Sequence, residues 1–290
     1  MTTSEESHGR ITPSQWGWLA SFCLVAAAAY GPILGDMAAD WAHDENYSHG
    51  FLVPLVSVYF LWFHRRWLAE VEWRPSWLGL GVLLIGLAAL VLGEIGAEQF
   101  TMRVSFLIVI GGGILFLVGM PALRRVSFPY AYLFFMVPLP YIVYDSIAFP
   151  LKLMAARVAT AIVLLMGIPI YSEGNVIYLE STTLQVADAC SGIRSLMSLL
   201  ALAAAFAYLT QRGKVSRWIL TLAAIPIAIF TNMVRIVGTA FLTQHYGVEA
   251  AMGFFHEFAG LVVFGTALAI LFVFGLFLQW ASRRLAARTG

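Results

Sequence analysis

Long apolar stretches separated by short polar segments make up most of the chain from residue 16 onward. A helix needs about 20 apolar residues to cross a hydrocarbon layer roughly 30 Å thick, and most of these stretches approach that length. The pattern therefore predicts an all-α polytopic membrane protein, with residues 1–290 forming a single integral membrane domain. The apolar runs lie at 16–34, 49–63, 76–93, 104–120, 126–143, 146–170, 195–210, 218–242 and 258–280.

Basic and acidic residues alternate from one connecting segment to the next. Basic short loops remain in the cytoplasm, so this alternation predicts that both termini are cytoplasmic and that the acidic loops lie outside. The predicted inner side holds Arg10, Arg65, Arg66, Arg74, Arg124, Arg125, Arg212, Lys214, Arg217, Arg283, Arg284 and Arg288. The predicted outer loops hold Asp36, Asp40, Asp44, Glu45, Glu94, Glu98, Glu173, Glu180, Asp188, Glu249 and Glu257.

The number of crossings leaves one choice open. Segment 121–125 is predicted inside and segment 171–194 outside, yet two apolar runs lie between them. One of the two therefore does not span. Either 126–143, which three prolines interrupt, is re-entrant, or 146–170, which carries a lysine and an arginine, begins as an interfacial amphipathic helix. Both alternatives give about eight transmembrane helices.

Residues 174–187 are the one stretch in which a strand period is clearer than a helix period. Two β-rich runs flank Glu180–Thr183 within it. We therefore predict a small β-hairpin on the extracytoplasmic side.

Composition supports a membrane protein and excludes several other classes. Hydrophobic residues make up 60% of the chain, charged residues 11%, and the mean hydropathy is +0.82, whereas soluble domains are about 25% charged. No basic patch suggests a nucleic-acid partner. The chain has two cysteines, in different settings, so we expect neither a multi-cysteine metal site nor a cofactor.

A cysteine lies just before a predicted span. Cys190 stands in DACSGIRS, and Arg194 follows it by one helical turn. The positive end of a helix dipole and a nearby guanidinium both favour a thiolate over a thiol. With Ser191 or Asp188 as the helix cap, this placement makes Cys190 a candidate nucleophile and Arg194 a supporting residue.

An arginine and a histidine are predicted at the same depth as this cysteine. Arg235 lies 17 residues beyond Trp218, about 25 Å along a helix that begins inside, and Asn232 is one turn deeper on the same face. His256 immediately precedes the last span. Taken singly, each residue also suits an ordinary role as packing, a snorkelling side chain or an interfacial anchor. Together they predict a thiol, a guanidinium and an imidazole at the outer leaflet.

The chain resembles the exosortases and, more distantly, the archaeosortases. The similarity covers nearly the whole chain and rests on YSHGFLVPLVSVYFLW from residue 47, MVPLP at 136–140, ADACSGIRSL, NMVRI and FHEFAG. It implies catalytic roles for Cys190, Arg235 and His256. Arg194 and Asn232 then become substrate-binding or supporting residues.

The resemblance also implies a substrate and a location. Exosortases are regarded as membrane cysteine peptidases or transpeptidases that remove the C-terminal PEP-CTERM sorting signal of exported proteins. The implied setting is the inner membrane of a bacterium that makes exopolysaccharide, with the active site facing the periplasm and the exopolysaccharide machinery as a further partner. The alternative is a transporter or scaffold of polysaccharide export without peptidase activity. Neither hydrolysis nor transpeptidation is favoured by the residues.

Overall fold

The structure, a computed structural model, describes residues 13–179, 183–185, 193–247 and 254–289, without the side chains at 13, 67, 69, 184, 185, 254–257 and 285–289. Its internal contacts divide the chain into two units, Met1–Pro140 and Tyr141–Gly290. The first unit consists of α1 (Pro13–His43), a 3₁₀ turn (Ser48–Phe51), α2 (Leu52–Phe63), α3 (Arg65–Ala69), α4 (Leu78–Ile95), α5 (Gln99–Leu117), α6 (Met120–Arg125), α7 (Ser127–Tyr132) and a second 3₁₀ turn (Leu133–Met136). The second consists of α8 (Tyr141–Leu165), β1 (Ile170–Glu173), β2 (Val176–Leu179), β3 (Thr183–Gln185), α9 (Ile193–Thr210), α10 (Lys214–Tyr246) and α11 (Phe254–Thr289).

Seven helices in the described part of the chain are long and apolar enough to cross a membrane, and a shorter apolar helix covers Ser48–Phe63. These helices confirm the all-α, multi-pass architecture. The run 126–143 is divided among short helices and turns, whereas α8 is continuous over 25 residues and qualifies as a span. The structure therefore favours the alternative in which 146–170 spans and 126–143 does not.

The end of α8 explains how the chain leaves this helix. Gly167 has φ +84°, a left-handed conformation that costs glycine little. The N–H of Ile168 donates to the carbonyl of Val163 at 3.3 Å, and the N–H of Gly167 donates to that of Leu164 at 2.9 Å. This is a Schellman end, in which the two flanking apolar residues, here Val163 and Ile168, are buried together. The chain then turns into the first strand.

The predicted hairpin is present and belongs to a slightly larger sheet. Strands β2 and β3 are antiparallel, as expected, and β1 adds a third strand in the order β1-β2-β3. Sequence analysis missed β1 because its residues adjoin the apolar run of α8. Glu173 pairs with Val176, so the β1–β2 turn has two residues, the first being Gly174 at φ +62°.

Glycines allow α4 and α5 to pack with their backbones almost in contact. Gly79, Gly86 and Gly93 are buried at heptad spacing on α4. On α5, a Cβ added at Gly112 would lie 2.8 Å from the backbone nitrogen of Leu83 on α4. Such close approach is characteristic of membrane helices whose contact surfaces carry small residues. On either side of Gly112, Gly111 and Gly113 leave room for the rings of Tyr130 and Phe22.

An ion pair between a buried arginine and a partly exposed aspartate joins α1 to α5, and the extent of α1 differs here from the predicted one. Asp36 and Asp40 were expected in an outer loop, but α1 continues through both residues to His43. The guanidinium of Arg103, only 5% exposed, lies 2.5 Å from the carboxylate of Asp40. Because the pair compensates both charges, an aspartate is tolerated near the end of this long helix.

Among the described residues of the second unit, α10 contributes to two hydrophobic cores. In the first half of α10, Leu220, Ala224 and Ala228 pack into a core of mostly small side chains with α9 and α11. Further along, Ile236 and Ala240 pack against α8 and the sheet. Helix α10 therefore gains α8 and the sheet as further partners between Ala228 and Ile236.

Candidate functional site

The predicted site residues differ in how far the structure describes them. Cys190 lies outside the described residues. The backbone at position 256 belongs to the first turn of α11, but the histidine side chain also lies outside the description. Arg194, Asn232 and Arg235 are described in full. The site is therefore built from α9, α10 and α11 and from the register between them.

Arg235 lies on α10 where this helix gains α8 and the sheet as further partners. Its side chain is partly buried, and its guanidinium extends toward α11. A Cβ added at Gly260 would lie 3.9 Å from the guanidinium carbon of Arg235. The glycine thus leaves room for the guanidinium beside the α11 backbone.

The register between α10 and α11 fixes the level of position 256. Ala224 and Ala228 share a core with Ala267 and Leu271, whereas Arg235 lies beside Gly260, so the two helices are antiparallel. Residues four apart on a helix share a face. Position 256 is one turn before Gly260 and therefore on the face of α11 that the Arg235 guanidinium approaches.

The start of α9 reaches the same part of α10. Three residues connect α9 to α10, and the two helices form an antiparallel hairpin. Ile193 is 17 residues before the end of α9, and Thr231 is 17 residues after the start of α10. At 1.5 Å per residue both lie about 25 Å from the connection. The first turn of α9, which follows Cys190 in sequence, is thus within about one helical turn of Arg235 in height.

Asn232 and Arg194 lie at this level as well. Asn232 is only 5% exposed and belongs to the buried face of α10, one turn before Arg235. Arg194 is in the first turn of α9, next to the buried Ile193. Both residues have interaction partners within the protein. Their supporting role stays a prediction.

A cleft of about 160 Å³ opens beside Arg235, between α10 and α11. It includes Thr239, whose hydroxyl donates to the carbonyl of Arg235 at 2.9 Å. The cleft was not predicted, because its residues come from two helices and the sequence does not show how these helices are aligned against each other. The lining residues are Val234, Arg235, Gly238, Thr239, Leu242, Ala259, Val262 and Val263.

The YSHG segment has a packing role within the first unit. It forms the 3₁₀ turn before α2, and a Cβ added at Gly50 would lie only 2.3 Å from the indole nitrogen of Trp41. That indole donates to the carbonyl of Met136 at 2.9 Å. Glycine is therefore required at position 50 for this tryptophan to reach its acceptor.

The described residues contain no group of three or more His, Cys, Asp and Glu side chains suited to a metal ion. The site so far consists of a partly buried guanidinium, a small cleft and the first turns of two helices. These features describe a multi-pass membrane protein with a polar site between helix ends.

Comparison with known proteins gives the family. The family model for transmembrane exosortases matches residues 41–273, most of the chain and all five predicted site residues. The chain belongs to this family of membrane peptidases and transpeptidases, whose substrates are proteins with sorting signals. No curated protein and no solved structure matches the chain.

Proposed function

We propose that this protein is a cysteine peptidase or transpeptidase that removes the C-terminal PEP-CTERM signal of exported proteins. In this proposal Cys190 is the nucleophile, His256 the general acid and base, and Arg235 the oxyanion-binding group. The enzyme acts in a bacterial inner membrane with its site facing the periplasm, and its products serve exopolysaccharide or biofilm matrix production.

The observation that carries the proposal is the position of the Arg235 guanidinium beside Gly260. Position 256 is one turn from that glycine on the same face of α11. The first turn of α9, which follows Cys190 by three residues, is nearly level with Arg235 on α10. The described helices thus bring Arg235 and chain position 256 close together, and the start of α9 three residues after Cys190 supports the proposal that the thiol lies at the same level.

The electrostatics of this level suit acyl transfer. The N-terminus of an α-helix carries roughly half a positive charge, and both α9 and α11 begin here beside a guanidinium. Fixed positive charge favours the Cys190 thiolate and the oxyanion that forms when it attacks a carbonyl. Such an environment stabilises the transition state more than the neutral peptide substrate.

The reaction then has two stages. The Cys190 thiolate forms a bond to the carbonyl carbon of the substrate, and the carbonyl electron pair moves to the oxygen, which Arg235 stabilises. Collapse of this intermediate breaks the peptide C–N bond, and His256 protonates the departing amine. A thioester remains on Cys190. Water or a second amine attacks it, His256 accepts the proton of this nucleophile, and the thiolate is released.

The decisive experiment replaces each cysteine separately. In Cys190→Ser, processing of a tailed reporter protein should be lost in an immunoblot, while membrane insertion remains normal. Cys23→Ser is the matched control, because Cys23 lies exposed on α1 and has no part in the site. It should process the reporter like the wild type. Retained processing in Cys190→Ser would remove the nucleophile and favour the transporter or scaffold alternative.

A second pair of variants tests the oxyanion role. Arg235→Lys keeps the charge but loses the planar fork of donors, so the rate of processing should fall by about 10²- to 10³-fold. Arg212→Lys makes the same change in the exposed connection between α9 and α10 and should have no effect. Equal rates for the two variants would contradict the role of Arg235.

A further inference from the structure

The cleft beside Arg235 is apolar except at one end. Valine and leucine side chains line it together with Gly238 and Ala259. Two of its lining residues, Val234 and Val262, are 53% and 48% exposed. In a multi-pass membrane protein these exposed apolar side chains face lipid, so the cleft leads from the lipid phase to the guanidinium.

The size of the cleft limits what it can hold. Its volume of about 160 Å³ is close to that of a roughly 150 Å³ apolar cavity that binds benzene. One aliphatic or small aromatic side chain fits, whereas a helix does not. A charged donor at one end suits the carbonyl oxygen to which such a side chain is joined in a peptide.

We propose that this cleft is a specificity subsite that receives the apolar side chain of the substrate residue next to the scissile bond. The substrate enters laterally from the lipid, and Gly238 sets the largest side chain that the subsite accepts. This inference rests on the proposed function, because it concerns the same reaction at Arg235.

Gly238 is well suited to this role because no contact with a described residue requires a glycine there. A Cβ added at this position meets no atom of the described residues within 4 Å, so it would point into open space. Gly275, on α11, differs, since its Cβ would lie 2.6 Å from Phe206. Within a helix, glycine is less stable than alanine by about 1 kcal/mol. The glycine at 238 therefore costs helix stability and keeps the cleft empty.

The first test fills the cleft with a side chain. Mass spectrometry of the wild-type products locates the cleaved bond in the reporter. Each of the two reporter residues that flank this bond is then replaced in turn by alanine or leucine. Gly238→Leu should lower kcat/KM for the leucine reporter at least about 10-fold and leave the alanine reporter nearly unchanged, as expected for a filled apolar pocket. The matched control is Gly265→Leu, since Gly265 is an exposed α11 glycine with open space around it and lies outside the cleft. It should behave as the wild type.

Enlarging the cleft gives the opposite expectation. Val262→Ala should improve processing of a phenylalanine reporter relative to the leucine reporter. A Gly238→Leu enzyme that loses activity equally on all reporters, or on none, would overturn the subsite. So would a Val262→Ala enzyme with unchanged preference.

A crosslinking experiment tests docking without turnover. A photoreactive p-benzoylphenylalanine replaces Val262 or, as the control, Val273, which is 64% exposed further along α11. In the Cys190→Ser background, the reporter should crosslink to position 262 and not to position 273. Equal crosslinking at both positions, or none, would contradict docking in the cleft. If Cys190→Ser still processes the reporter, the proposed catalytic mechanism fails, but the crosslinking result still decides the docking site.

Discussion

Gly79 is the point at which α4 and α5 approach most closely, and replacing it should separate the two helices. A Cβ at this position would lie 2.2 Å from the backbone nitrogen of Phe116 and 2.4 Å from its Cα, whereas ordinary contacts begin near 3.4 Å. In Gly79→Ala, the helices must therefore move apart locally by more than about 1 Å. No side-chain rotation relieves the clash, because the atoms on α5 belong to the backbone.

The energetic cost is best measured against a second glycine of the same helix. A Cβ at Gly81 meets nothing within 4 Å, so Gly81→Ala gains helix propensity of up to about 1 kcal/mol and pays no steric penalty. Gly79→Ala has the same gain but adds an overpacking cost of about 1–3 kcal/mol. The difference between the two variants isolates that cost, and at about 2–4 °C per kcal/mol it amounts to several degrees in melting temperature.

Gly86→Ala should fall between these two variants. Its Cβ would meet a methyl group of Val109 at 2.7 Å, and this side chain can rotate away, while the nearest backbone atom is 3.1 Å distant. Apparent melting temperatures in one detergent at one heating rate should therefore decrease in the order Gly81→Ala, Gly86→Ala, Gly79→Ala. Equal melting temperatures for Gly79→Ala and Gly81→Ala would refute the close backbone approach of α4 and α5.

Three further predictions concern single contacts. Asp40→Ala leaves the buried Arg103 guanidinium without its carboxylate and should lower the free energy of unfolding by about 1.5–3 kcal/mol. The double variant Asp40→Ala/Arg103→Met should recover part of the lost melting temperature. At Glu98, the hydrogen bond with the Thr101 side chain, aided by backbone N–H donors at the start of α5, lowers the pKa below its ordinary value of 4.5. The carboxylate therefore stabilises α5 above about pH 4.5, and this contribution is lost as the pH falls through the lowered pKa. In Glu98→Gln, the melting temperature should therefore depend less on acidification than in the wild type. The same pH dependence in both proteins would contradict the cap. Gly167→Ala forces a left-handed alanine at the end of α8 and should cost about 1–2 kcal/mol in thermal unfolding, whereas an unaltered melting temperature would argue against the Schellman end.

The spans were predictable because hydropathy is a local property of the chain. The limits of α1 were not, since its continuation through Asp40 depends on Arg103, 63 residues away. The choice between 126–143 and 146–170 was likewise open to the sequence. The answer depends on whether α8 remains a regular helix along its whole length although it carries two basic residues. Counting the charges in the loops does not show this.

The sequence predicted the candidate site as a level in the membrane and not as a shape. Charge topology and helix rise predict that Arg235, His256 and Cys190 share one leaflet, and for Cys190 and the His256 side chain this stays a prediction. The cleft was missed because Gly238 and Val262 lie 24 residues apart and approach only through the register of α10 on α11. One signal was available: Gly260 is one turn after His256, which places a residue without a side chain on the same face as the histidine.

The position of Arg235 can be understood from the partners that α10 gains along its length. In its first half, the buried face of α10 packs against mostly small side chains of α9 and α11. From Ile236 onward, α8 and the sheet also pack on α10, while α11 remains beside it along the cleft. Near Arg235, α9 and α11 are close to their N-terminal ends. Gly260 on α11 has no side chain and so leaves room for the guanidinium. Two helix N-termini and an arginine then concentrate positive charge at the level where the oxyanion of the proposed reaction would form.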